Sequence, residues 1–150
     1  LNGELRTLIK NNLVKAMSDP TYALADSAAQ SVAKIAVIEL PENAWEELIP
    51  GLLTFIRKNA AEGLRVATLS CLGYICEEVP PEALAQKSDD ILTAIVGGMQ
   101  SQGGPQCMLA ATKAFNASLS FIEGNFKVPQ ERVMIMSVII QTAKTSNSAE

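Results

Sequence analysis

Apolar residues return at steps of three and four along almost the whole chain, and the pattern breaks only at proline, glycine and short polar clusters. Leu5, Leu8, Ile9, Leu13 and Met17 predict a helix over 3–17. Ser18, Asp19 and Pro20 end it and cap a second helix over 21–38, with Ala25, Ala28, Ala29, Val32, Ile35 and Ala36 on its inner side. Such small residues let a neighbouring helix come close. Trp45, Leu48, Ile49, Leu52, Leu53 and Ile56 mark a third, one-faced helix, and Leu64, Ala67, Thr68, Cys71, Leu72 and Ile75 mark a fourth. After Pro80 and Pro81 a short turn of helix covers 82–86. Ser88 reads as the N-cap of a helix to 100. Pro105 sits near the start of the next helix, which runs to 123 with Met108, Ala111, Thr112, Phe115 and Leu119 inward. Pro129 opens a last helix, to 145. No segment alternates as a strand does.

Seven main helices with short loops predict an all-α fold, and an internal repeat says which kind. The Ala28–Ala29–Gln30–Ser31–Val32 stretch is echoed near Ala67 and again near Ala110, a period of about 40 residues, as in HEAT and armadillo arrays. The expected architecture is an α-solenoid of stacked antiparallel helix hairpins, HEAT repeats, forming a single array over 1–150. Its approximate repeats are 3–40, 41–86 and 87–127, with 128–145 as a lone outer helix. Such arrays bind partners along extended surfaces, so the repeat favours a binding module.

Composition narrows the choice. Of 150 residues 48% are hydrophobic and 19% charged, which excludes a disordered chain. The net charge of −4 comes with no basic block, and nucleic-acid binding needs clustered Lys and Arg. No apolar run approaches the ~18 residues of a membrane helix, so no membrane insertion is expected. The start at Leu1 and the polar tail suggest a piece of a longer chain. Cys71, Cys76 and Cys107 have no metal spacing and read as reduced, buried thiols in a reducing compartment. With no His, the commonest catalytic base and metal ligand is missing. Glu46 and Glu47, like Glu77 and Glu78, are sequence neighbours that diverge by about 100° on a helix and cannot share a proton. No dinucleotide or phosphate-binding loop pattern occurs. The expectation is a non-enzyme without metal or cofactor.

Particular strings go beyond the repeat. Ile38–Pro41, Trp45–Pro50, Leu72–Glu77, Ile91–Met99, Leu109–Thr112, Asn125–Phe126, Glu131–Arg132 and Ile135–Met136 resemble, in order and register, the importin-β (karyopherin-β) family. The resemblance covers nearly the whole chain and points to the N-terminal HEAT-repeat region, around the third to sixth repeats. It implies a nuclear transport receptor that shuttles between cytoplasm and nucleus through the nuclear pore. Such a receptor binds Phe-Gly repeats of nucleoporins, releases cargo to Ran-GTP, and takes importin-α or cargo through regions outside this segment. It also implies a Phe-Gly site between two outer helices, with Leu92, Thr93 and Val96 on one and Glu131, Met134 and Ile135 on the other. Val96 stands where the family can carry Ile, and Met134 where it can carry Phe. Glu77 and Glu78 fall on an inner helix of the kind that faces Ran-GTP, although a solvated acidic helix end explains them as simply.

The residues themselves leave two readings of these outer helices. On a helical wheel Ile91, Ile95 and Met99 cluster, Leu92 and Val96 sit at the edge, and the apolar stripe spans about 140°. Val133, Met134, Ile135, Met136, Val138, Ile139 and Ile140 surround nearly the whole circumference of the last helix. Packing against neighbours in an array accounts for this, and so does a shallow shared groove. The groove suits a Phe ring, because Leu, Val, Ile and Met walls adapt to it. The alternative function is a HEAT-repeat scaffold or adaptor, of the phosphatase or trafficking type, that binds other peptides.

Overall fold

The computed structural model describes residues 3–57, 60–100 and 104–147. Nine α-helices are found among them: α1 (Gly3–Ala16), α2 (Tyr22–Glu39), α3 (Leu48–Arg57), α4 (Glu62–Glu78), α5 (Pro81–Leu84), α6 (Ser88–Met99), α7 (Gly104–Ser118), α8 (Glu123–Lys127) and α9 (Pro129–Asn147). A 3₁₀ turn, Ala85–Lys87, joins α5 to α6, and the described residues contain no strand.

The helices form two rows. In the inner row α4 has α2 on one flank and α7 on the other. In the outer row α6 lies between α3 and α9, while α1 packs on α2. The outer helices α1, α3 and α6 back onto the inner α2, α4 and α7, as in a solenoid of HEAT repeats, while α9 packs on α6 and α8. Close inner packing comes from small side chains: Ala25, Ala28, Ala29, Ala33 and Ala36 of α2 are all buried. At the other flank of α4, a Cβ on Gly73 would stand 3.3 Å from the Ala114 backbone of α7. Between the rows runs one continuous core that includes Leu52, Leu69, Leu72, Ile75, Ile91, Ile95 and Ile135.

Three local expectations are corrected. The third helix begins at Leu48, not Trp45, because Asn43 takes a left-handed turn (φ 53°) and Ala44 N–H donates to the Glu39 carbonyl at 2.8 Å. Trp45 is still buried, in the turn, under the Lys10 ammonium 4.7 Å from its ring centre. Ser88 is the first residue of α6 and not its cap. Its hydroxyl donates back to Ala85 C=O at 3.0 Å, since the preceding 3₁₀ turn already leads into the helix. The long helix expected to reach 123 stops at Ser118. There the buried hydroxyl donates to Phe115 C=O at 2.7 Å, and Phe121 and Ile122 N–H both turn back to Ser118 C=O. The chain restarts as α8.

A closed seam between two outer helices

Helices α6 and α9 run side by side in the same direction. Their first turns meet through Asn125 of α8, whose side-chain N–H₂ donates to Asp89 Oδ1 of α6 at 2.8 Å and to Glu131 Oε2 of α9 at 2.7 Å. Towards their far ends, Thr142 Oγ1 of α9 faces the Met99 carbonyl of α6 at 3.4 Å. Between these points lies an apolar seam.

All six sequence-expected residues lie on these two helices, but they do not share one open face. Leu92, Val96 and Ile135 are 3%, 4% and 0% exposed and belong to the core. Met134 is 46% exposed, and Thr93 is exposed on the outer surface of α6. The partly buried Glu131 already accepts from Asn125. With Leu92, Val96 and Ile135 closed off from solvent, only the rim at Met134 is open. The all-round apolar pattern of α9 resolves into two parts. Ile135 and Val138 are buried, while Val133, Met136 and Ile140 join Met134 on the exposed surface.

Glu77 and Glu78 diverge, as neighbours on a helix must. Glu78 reaches across to α2 and accepts from Lys34 at 2.6 Å. Glu77 lines a groove of about 500 Å³ along the inner row. Tyr22, Tyr74, Leu109 and Lys113 contribute to the same groove, and its floor is the close approach of α4 to α7 at Gly73 and Ala114. Tyr74 Oη donates to Asp26 Oδ1 at 2.9 Å. Burial, and then the Asp26 carboxylate, push the phenol up to about 12, so it stays a neutral donor. Sequence reading missed this groove because its residues come from three helices about one repeat apart. The repeat itself was the only signal that could align them. It also missed Asn125 as a bridge.

The three thiols are free and buried. Burial pushes Cys71 and Cys107 above an ordinary thiol, and burial followed by the Glu77 charge pushes Cys76 to about 12. Among the described residues no group of three or more His, Cys, Asp or Glu side chains could hold a metal ion. No described helix is long and apolar enough to cross a membrane.

No protein-family model matches the chain. Individual relatives do. Importin subunit beta-1 of Arabidopsis thaliana is 40% identical over 143 residues, which is 94% of this chain and 16% of that protein. Importin subunit beta-1 of Saccharomyces cerevisiae is 36% identical over 147 residues, 96% of this chain and 17% of that protein. The chain is homologous to a segment of importin-β. The Schizosaccharomyces pombe importin subunit beta-1 adds 33% identity over 97% of this chain and 17% of its own length. Yeast importin-β (Kap95p) superposes with a TM-score of 0.89 at 35% identity, over 94% of this chain and 17% of that one. Kap95 in a complex with Nup1 gives 0.86 at 37%, again over 94% and 17%. Kap95p whose binding induces the switch loops of RanGDP to adopt the GTP-bound conformation gives 0.88 at 36%, over 94% and 16%. The two-row stack thus matches part of the α-solenoid of these importin-β structures, and the chain spans about one sixth of the length of the relatives it matches.

Proposed function

We propose that this chain is part of a nuclear transport receptor, and that the α6–α9 seam binds Phe-Gly segments of nucleoporins. The observation that carries the reading is a coincidence of two facts. Importin-β similarity runs through 94% of the chain, and Leu92, Thr93, Val96, Glu131, Met134 and Ile135 all lie on two adjacent outer helices, α6 and α9. A Phe ring would enter beside Met134 and part α6 from α9, reaching Leu92, Val96 and Ile135, which are now buried. Parting the helices and ordering a disordered peptide both cost free energy, so a single site is weak. A receptor that must release the pore repeatedly is served by weak sites acting in number.

Kap95 relatives found with RanGDP and with Nup1 support Ran and a nucleoporin as partners. The inner row, including Glu77, is the surface proposed for part of the Ran-GTP contact; Glu78 contributes less, being paired with Lys34. Cargo and importin-α engage other regions. The function is transport and not catalysis, shuttling between cytoplasm, pore and nucleus. The repeats are taken as 3–40, 41–86 and 87–127, with α9 opening the next.

The test is an NMR titration of the folded chain with a short FxFG peptide against a peptide lacking Phe. Met134→Asp is the variant to compare, since Met134 is exposed enough to carry a charge without loss of folding. Val96→Asp is unsuitable, because an unpaired charge in the core would unfold the chain. Shifts confined to α6 and α9, lost in Met134→Asp, support the site. Absence of binding by folded wild type at millimolar peptide sinks it and leaves a scaffold for other peptides.

A further inference from the structure

We propose that Asn125 is a positioning residue: it holds the α6–α9 seam shut and thereby sets how readily a Phe ring enters. This rests on the Phe-Gly reading of the seam. Asn125 is only 6% exposed, on a five-residue helix that packs against α9. Its one amide group spends both N–H donors on carboxylates of two different helices, Asp89 at 2.8 Å and Glu131 at 2.7 Å. Hydrogen bonds from an amide to an ionised carboxylate are among the stronger ones, and here they also separate two like charges that would otherwise repel across the seam. The bridge sits at the first turns of both helices. The weaker Thr142–Met99 contact lies at the other end, so the first turns are the tighter of the two ties. Glu131 is itself one of the proposed site residues. Bound to Asn125, one of its oxygens is engaged, and a peptide amide has to compete for it.

Removing the bridge has two effects of the same sign. Asp89 and Glu131 repel, which lowers the cost of parting α6 from α9, and Glu131 is released to accept from a peptide N–H. Asn125→Ala should therefore raise Phe-peptide affinity by about threefold to tenfold. Asp89→Ala, at an exposed position, should raise it less, because it cuts the tie of α6 to Asn125 but leaves no like charge to repel and leaves Glu131 bonded to Asn125. Asp89→Asn keeps an oxygen acceptor for Asn125 and should stay close to wild type.

The experiment is methyl NMR of the full chain in two stages. A soluble paramagnetic agent first reports the solvent exposure of Leu92, Val96 and Ile135 without peptide, and FxFG peptide is then titrated. The proposal expects the three methyls to become more exposed in Asn125→Ala and Asp89→Ala but not in Asp89→Asn, with tighter binding in the first two alone. Unchanged methyl exposure in folded Asp89→Ala overturns the bridge, whatever the peptide does. Opened methyls with unchanged affinity overturn the link from bridge to binding. Opened methyls with no binding by any form overturn the Phe-Gly reading while leaving the latch itself standing.

Discussion

Gly73 marks a close approach within the inner row. A side chain there would meet the backbone of Ala114, which cannot step aside as a flexible tip can. Gly73→Val is expected to destabilise the fold by about 1–3 kcal/mol or more through forced separation of α4 and α7. Gly97, near the end of α6, has no heavy atom in the path of a Cβ. Gly97→Ala should instead stabilise by about 0.4–1 kcal/mol, chiefly by restricting the unfolded chain. Urea unfolding of both variants checks the pair of signs. The cysteines are residue-scale matters too. Burial holds Cys71 and Cys76 as thiols well above neutral pH, and the thiolate is the reactive form. A thiol-reactive disulfide reagent at pH 8 should modify them at the rate of unfolding, and rapid labelling of the native chain would contradict that burial.

Helix α1 has no fully buried residue; Leu13, Val14 and Ala16 pack partly buried against the core, and ion pairs to α2 add to that hold. Glu39, at the end of α2, is buried and accepts from Arg6 at 2.8 Å and Lys10 at 2.7 Å, both on α1. Burial by itself would raise the Glu39 carboxyl. The hydrogen bonds and charges of Lys10 and Arg6 outweigh it and hold the group below the ordinary carboxylate value. Between the lower folded and the ordinary unfolded value, the unfolded chain binds a proton that the folded chain does not. Stability from this pair is therefore complete at neutral pH and falls as pH drops through that window. Glu39→Gln should cost about 1–3 kcal/mol at pH 7 and progressively less as the solution is acidified. Denaturant titrations of the two proteins at neutral and acid pH test the convergence.

Across the whole molecule, each helix depends on its neighbours in the stack, and the ends have fewer of them. The centre of α4 is packed by α2, α3 and α7 together, whereas α1 leans on α2 and α9 on α6 and α8. Native-state hydrogen exchange should be slowest in the middle of α4 and α7 and fastest in α1 and α9. Uniform protection across all helices would mean that the array unfolds as a single unit. A fast-opening α9 is also what entry of a ring beside Ile135 calls for.

Periodicity and the forty-residue repeat carried the architecture in the sequence alone. Steps of three and four located the seven main helices, because a one-sided apolar stripe has few other uses in a chain this hydrophobic. The alanine-rich face of α2 announced a close neighbour before that neighbour was known. Helix ends were less legible, since Asn43 and Ser118 act through backbone hydrogen bonds that a pattern of apolar positions does not record. The candidate site divided in the same way. The sequence, with its family resemblance, brought forward Leu92, Val96, Met134 and Ile135 as one group. Only tertiary packing decided that three of them are closed into the core while Met134 stands at the rim. Only packing, too, could bring Asp89, Asn125 and Glu131 to one point. Periodicity states which side of a helix is apolar, but how far that side is covered depends on the distance to the next helix, and that distance is a property of the whole stack.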